Sequence, residues 1–495
     1  MEVSNDNNSK INMNRPSLKI NYIFRVIYDV VAVLIPFVTM PYVTRVLGPE
    51  NCGIYSYTHA NVTYFVLLSV LGTSGYGIRT IARNRENRNL YSKLFWEIEL
   101  LTVVSSMVAL LGFVFFYQLV DEYKYYYLIL GILIVSALLD ISWFYTGLEH
   151  IGFMTSVNLI VKIAGAASIF IFVRKSEDLP IYFLINVLVH FVGNLSMWIF
   201  VPRYLNKVPI KELHIFRHLK ETIIFFIPTI AISIYTVLDK TLIGLITHEA
   251  TQNGYYDNAT QIINGVKVMT FASIGTVVGS RTSFLFAENK TKEIKDKINL
   301  TMSYIMFLGL GSGLGILAIA DGFVPIFLGE RFEGAIPLLK LMTPLIAIIG
   351  ISNCLGSLYY NPVGKRKTSA CFIIIGAITN LLFNLILIPS FGAVGATIGS
   401  IIAEITISTL YICFCDHFFT FKQLFLISYK KLIAGIVMFA VISMMRYIKI
   451  NSGVLVLCQI FVGVVVYTVL LSIMKDSIIK YAFSTVSNYV NKKRK

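Results

Sequence analysis

Long apolar stretches alternate with short polar links along the whole chain. Fourteen such stretches can be counted: Asn21–Thr44, Tyr55–Gly75, Leu94–Gln118, Tyr125–Tyr145, Phe153–Val173, Ile181–Val201 and Thr222–Ile246 in the first half. Tyr255–Gly279, Leu300–Ala320, Ile336–Tyr360, Ser369–Ile388, Val394–Cys415, Leu432–Met445 and Val454–Met474 follow. About twenty apolar residues in a helix cross the hydrocarbon of a bilayer. Only helices and closed barrels satisfy their own backbone there, and these stretches lack a two-residue alternation. The pattern predicts an all-α, polytopic membrane protein of about fourteen transmembrane helices. The thirteenth stretch is short, and the eighth carries many polar residues.

Composition agrees. Of the 495 residues, 56% are apolar and 14% charged, against about 25% charged in a soluble domain. The net charge of +15 does not point to nucleic acid. The basic residues lie in the links beside the apolar stretches, where the positive-inside rule places them. With the N-terminus in the cytoplasm, inward links carry 30 Lys and Arg and outward links 8. The other four, Arg25, Lys162, Lys240 and Lys267, fall within stretches. Both termini are therefore expected in the cytoplasm. The first nineteen residues are polar and no small-residue cleavage site follows the first apolar run, so that run reads as a retained helix rather than a signal peptide. The six Cys read as small apolar filler, with no disulfide or metal pattern.

A weak repeat links PYVTRVLGPENCGIYSYTHA, from Pro41, to IYTVLDKTLIGLITHEATQNGYYDNAT, from Ile234. Both carry an aromatic, a Thr and a cation (Arg45 or Lys240), then a short polar link and a restarting helix. Gly53 and Gly254 hold corresponding positions. Each copy follows an even number of crossings, so both have one orientation, a known transporter plan with substrate between the halves.

Charges within the stretches are the candidate functional residues, because each costs about 3 kcal/mol or more at mid-bilayer. Arg25 and Asp29 share one face of the first helix, either lining a cavity or pairing at the interface. Asp239 and Lys240 are adjacent and point about 100° apart, so they do not simply pair with each other. Asp257, Gln261 and Asn264 form one polar stripe on the eighth helix, with Lys267 beside it. That stripe must face protein or water. Lys267 reads as a cavity cation for an anionic substrate, or as half of an interhelical pair. Asp140 and Lys162 could pair across neighbouring helices. Glu404 stands alone in an apolar run and must be protonated or partnered, or serve a coupling ion. His59 and His190 read as hydrogen-bonded helix residues. Pro36, Pro41, Pro228 and Pro344 interrupt stretches, and Gly309, Gly311, Gly313 and Gly315 alternate along the ninth.

No enzyme motif, cofactor fingerprint or metal set is present, and no phosphate-binding loop for ATP. An energy source must be an ion gradient, the membrane potential or the substrate's own gradient.

Three stretches carry a resemblance. They are PYVTRVLGPENCGIY with Pro36; Tyr235, Asp239, Lys240, Gly244, Gly254, Tyr255, Tyr256 and Ala259; and Pro362, Gly364, Lys365, Asn380, Asn384, Pro389, Gly392, Gly395, Ala396 and Glu404. In these the chain, from about Asn21 to Cys415, resembles the polysaccharide-transporter family of the multidrug/oligosaccharidyl-lipid/polysaccharide exporter superfamily, the O-antigen and capsule repeat-unit flippases. One departure is Gly279-Ser280-Arg281, where that family often has Pro before the Arg. The resemblance implies two six-helix lobes (20–210 and 211–420) around a cationic cavity, related by an axis along the membrane normal. A tail (1–19) precedes them, and two added helices with a basic tail (421–495) follow. It implies an oligosaccharide on undecaprenyl pyrophosphate as substrate, alternating access in the bacterial plasma membrane, and a polymerase and chain-length regulator as partners. Arg25, Lys240 and Lys267 are then available for the pyrophosphate. A lipid II flippase would share this mechanism. An ion-coupled multidrug antiporter of the superfamily should centre on carboxylates. A membrane glycosyltransferase would need larger outward loops than 321–335.

Overall fold

The computed structural model describes residues 18–277, 284–286, 288, 290–448 and 450–481, and among these every regular element is helical. The departure at 279–281 lies outside the described residues.

The first two predicted stretches lie in one helical run, α1 (Leu18–Val70), broken only at Gly48 (φ 77°, ψ 173°). That left-handed φ is open to glycine at little cost, and Pro49 restarts the helix with its preset φ. The expected polar link is thus mostly helix. Next come α2 (Thr73–Asn84) and α3 (Arg88–Leu119), the latter capped by the Asn87 side chain accepting from the Leu90 amide at 3.0 Å. The fourth stretch is divided into α4 (Lys124–Leu130), α5 (Ile132–Leu138) and α6 (Ser142–Gly147). The second break is where Asp140 sits: its carboxylate accepts from the Ser142 amide at 2.9 Å. Then follow α7 (Ile151–Phe172), α8 (Leu179–Trp198) and the short α9 (Val201–Tyr204).

The second half runs α10 (Leu219–Thr247), α11 (Ala250–Val277), α12 (Thr291–Leu328), α13 (Ala335–Met342) and α14 (Pro344–Leu355). It continues through a π turn at Gly356–Tyr360 into α15 (Arg366–Phe391), α16 (Ala393–Cys413), α17 (Phe421–Met444) and α18 (Ser452–Ile473). Among the described residues eleven helical stretches are long and apolar enough to cross a membrane. The first, Leu34–Asn84, contains two predicted segments, and α10 and α11 hold the seventh and eighth.

The thirteenth stretch needs correction. α17 starts at Phe421, not near Leu432, and so is a full-length helix. Lys430 and Lys431 mimic a link in the sequence. In the fold Lys431 is fully buried, with its ammonium 2.9 Å from Asp476 Oδ2 and 2.8 Å from the Ile427 carbonyl. Lys430 donates to the Met474 carbonyl at 2.7 Å.

Contacts between links respect the alternation. At the lysine-poor end Tyr42 donates to the Val173 carbonyl (2.7 Å), Asn51 to that of Ser176 (3.0 Å), and the Ala393 amide to Gln252 Oε1 (2.9 Å). At the basic end Arg88 donates to the Tyr204 carbonyl (3.1 Å), the His214 amide to Glu97 (2.9 Å), and Lys365 to Asp416 (2.5 Å).

The cores differ between the two ends. At the lysine-poor end one continuous core contains Met40, Ile54 and Phe183 together with Ile243, Leu339 and Ile388. At the basic end the first half packs around Phe95, Trp143 and Met197, and the second separately around Ile298, Tyr360 and Tyr411. A further cluster joins α17 and α18 to α12 through Ala318, Met438 and Tyr467.

Candidate functional site

Two cavities border α11. The first, of about 330 Å³, is the more polar of the two and lies between α1, α7, α8 and α11. Thr39 and Tyr55 line it from α1, Lys162 from α7, Tyr182, Asn186 and His190 from α8, and Asp257, Asn258 and Gln261 from α11. The second, of about 440 Å³, is apolar. Val266 of α11 lines it with Phe307, Gly311 and Ile316 of α12, Met438 of α17, and Ile460 and Tyr467 of α18. Gln261 and Val266 are five residues apart, about 7.5 Å along a helix. Lys267 follows Val266 directly but lines neither cavity; at 100° per residue it points about 100° from Val266 and about 120° from Gln261.

The polar stripe on α11 is built as its spacing predicts, with unequal burial. Asp257 is buried, while Gln261 and Asn264 are exposed. Gln261 donates to Asp257 Oδ2 at 2.8 Å. Asp257 also forms an ion pair with Lys240, whose side chain is 24% exposed against 10% for Asp257. Lys240 thus reaches from α10 to α11, and its charge is matched at the wall of the polar cavity.

Asp239 points elsewhere. It is buried and receives three neutral donors: the Tyr256 hydroxyl, Asn384 Nδ2 at 2.6 Å and the Ser400 hydroxyl at 2.5 Å. Asn384 also donates to Asn380 Oδ1 at 3.1 Å, and Asn380 to Ser400 at 3.3 Å. This network ties α10, α11, α15 and α16 together. A carboxylate held this way keeps its hydrogen bonds filled while its charge meets dipoles. Tyr256, Asn380 and Asn384 come from two separate stretches of the resemblance, and the fold gathers them on one carboxylate.

Other candidates fall at different places. Glu404 is buried on α16 and acts electrostatically on the half-buried Lys267 of α11. Lys162 lines the polar cavity, whereas Asp140 accepts from the Ser142 amide just before α6. Arg25 and Asp29 lie outside the residues whose side chains are described. His59 sits one turn from Thr63, 3.5 Å between Nδ1 and Oγ1, and His190 proves to be a cavity wall. Sequence reasoning missed Tyr55, Tyr182 and Asn186. Nothing local distinguishes them from the many aromatic and amide residues of membrane helices.

The lysine-poor end above the cavity is closed by glycines. A Cβ on Gly53 would stand 1.7 Å from the Ala250 carbonyl oxygen, and one on Gly254 2.0 Å from that of Pro49. Arg45 adds a strap, donating to the Pro41 carbonyl at 2.7 Å and to the Ile326 carbonyl on α12.

The family model described as polysaccharide biosynthesis protein matches residues 18–279. The chain belongs to that family. Among curated relatives it is 25% identical over 409 residues to a putative O-antigen transporter of Escherichia coli strain K12, covering 82% of this chain and 98% of the relative. It is 22% identical over 453 residues to a probable low-salt glycan biosynthesis flippase of Haloferax volcanii, covering 87% and 91%. Among solved structures, a lipid II flippase MurJ in an inward closed conformation superposes with a TM-score of 0.73 at 17% identity, covering 92% of this chain and 98% of that one. At such identity the likeness shows the fold, a multi-helix membrane architecture. Both cavities and the Asp239 network thus belong to a family member with that fold.

Proposed function

We propose that this chain is a flippase for a lipid-linked glycan. It turns the oligosaccharide head of an undecaprenyl-pyrophosphate carrier across the bacterial plasma membrane for capsule, exopolysaccharide or O-antigen assembly. One observation carries the reading: α11 is lined by a polar cavity over Asp257–Gln261 and by an apolar one at Val266. A lipid-linked sugar has the same two-part chemistry. Its head requires hydrogen-bonding groups and aromatic faces, which Tyr55, Tyr182, Asn186 and Gln261 offer. Its chain requires an apolar wall continuous with lipid. Between them lies a pyrophosphate, and the cations available to it are Lys162 at the first cavity, Lys240 at its wall beside Asp257, and Lys267 further along α11. The polar volume is at the low end for ligand pockets, enough for about ten waters, so it holds part of a repeat unit at a time.

The unequal ends support alternating access. The two halves share a core at the lysine-poor end and keep separate cores at the basic end. We place the basic end and both termini in the cytoplasm, and the two halves act as lobes, 20–210 and 211–420. Asp239, whose charge meets only neutral donors among its described hydrogen-bond partners, and Glu404 are the groups placed to couple movement to an ion or proton.

The test is leaflet accumulation in the host. Depleting the protein is expected to make undecaprenyl-linked repeat units build up in the inner leaflet, shielded in spheroplasts from an added glycan-modifying enzyme. Absence of build-up, with sensitivity to drugs instead, would move the chain to an antiporter function.

A further inference from the structure

The link between α9 and α10, residues 205–218, is held against one side of the molecule at both ends. At its start Arg88 donates to the Arg203 (2.9 Å) and Tyr204 (3.1 Å) carbonyls, and the Asn206 amide donates to Ser92 Oγ at 2.9 Å. At its end the fully buried Glu97 of α3 accepts from the His214 amide (2.9 Å) and from the Arg217 guanidinium, and lies 2.9 Å from His218 Nε2. Tyr76 of α2 meets the other ring nitrogen of His218 at 2.7 Å. The strap is therefore a fixed part of the first half, not a loose connector.

Its outer side is unusual. Ile210 is 84% exposed and Phe216 67%, in a link rather than in a membrane-crossing helix. Beside them Lys207, Lys211 and Lys220 are exposed, and no ion pair is recorded for these three among the described residues. Each end of the strap continues into a membrane helix, so the strap lies at the bilayer surface. Large apolar side chains are unfavourable in water, while apolar groups flanked by Lys are the composition of segments that rest in a membrane interface. Anionic headgroups complement the charge, since a juxtamembrane Lys near an anionic surface gains about 1 kcal/mol.

We propose that residues 205–218 form an anionic-phospholipid docking strap. Ile210 and Phe216 sink into the interface, and Lys207 and Lys211 bind the phosphates of lipids such as phosphatidylglycerol. Because Glu97 and Arg88 fix the strap to α3, bound lipid holds the first half of the chain in register with the leaflet while the second half moves against it. Only this last consequence rests on the flippase reading; lipid binding does not.

The test uses the full-length protein reconstituted into vesicles of phosphatidylcholine with trace spin-labelled phosphatidylglycerol or phosphatidylcholine. Wild type is expected to prefer the anionic probe. The preference should fall roughly fivefold for each lysine removed in Lys207→Gln with Lys211→Gln, and should weaken in molar salt. Ile210→Ser with Phe216→Ser should lower it as well. The control, Arg366→Gln with Lys367→Gln, removes equal charge from the exposed first turn of α15 at the same end. An equal loss in the control, or no anionic preference in wild type, would overturn the strap. Retained preference in the Lys207/Lys211 variant, with binding instead to a soluble protein, would make the strap a protein interface.

Discussion

Gly53 and Gly254 meet backbone to backbone across the molecule, the Gly254 amide nitrogen only 2.9 Å from where a Gly53 Cβ would stand. They are the corresponding glycines of the sequence repeat, 201 positions apart. The repeat thus marks one closure point, made by both copies, over the polar cavity. Adding a methyl at either position overlaps backbone that cannot rotate away. Gly53→Ala and Gly254→Ala should each cost about 1–3 kcal/mol of the closed arrangement, and the double variant should cost less than their sum. The neighbouring Cys52, buried in wild type, is the reporter: a membrane-impermeant maleimide should label it faster in either variant, as read by peptide mass spectrometry. Unchanged labelling would mean that this contact does not seal the end.

Lys240 and Asp257 are a partly buried pair. Removing one partner leaves the other uncompensated, which costs up to about 3–5 kcal/mol when burial is complete and less here because Lys240 keeps some exposure. Asp257→Asn should lower thermal stability in detergent more than Lys240→Gln with Asp257→Asn together. If the double variant is the less stable, the pair is not the interaction that matters.

Lys431 and Asp476 are more deeply buried and line neither cavity. Lys431→Met should destabilise by about 3–5 kcal/mol, and Asp476→Asn added to it should restore most of the loss. Thermal unfolding of the three variants checks this. No transport defect beyond the lower amount of folded protein is expected.

His218 gives a pH dependence. It faces Glu97 of α3, Arg217 of its own strap and Tyr76 of α2. Burial pushes its pKa below 6.5, against the opposing pull of the Glu97 hydrogen bond. The folded state therefore prefers the neutral ring. Its stability is fully present above about pH 6.5 and is lost as pH falls toward the lower folded value. Melting temperature should drop between pH 7.5 and 5.5 in wild type, with a shallower drop in His218→Gln.

Much of the architecture was legible in the sequence because bilayer thickness imposes a length and the basic residues impose an alternation. What stayed hidden has local causes. Lys430 and Lys431 looked like a link because one sequence cannot show that Asp476 and the Met474 carbonyl wait for them. At the break, Asp140 takes the Ser142 amide two residues on, a local side-chain-to-backbone bond with no change in hydropathy. The polar cavity draws Tyr55, Lys162, Asn186 and Asp257 from four helices, and no periodicity joins them. The Asp257–Gln261–Asn264 stripe was legible because a single helix carries it. Its neighbour Lys267 was legible as a charge, but its approach to Glu404 of α16 needed the fold.

The most direct measurement is flipping in proteoliposomes loaded with an undecaprenyl-pyrophosphate oligosaccharide. It follows the fraction of sugar reached by an impermeant glycosidase over time. Wild type should expose glycan from the inner leaflet well above protein-free vesicles, and Lys267→Ala should slow this at least about tenfold, the loss of one charge-assisted contact. Exposure by wild type no faster than in empty vesicles would contradict the flippase. Full-rate exposure by Lys267→Ala would keep the flippase and remove Lys267 from the pyrophosphate site.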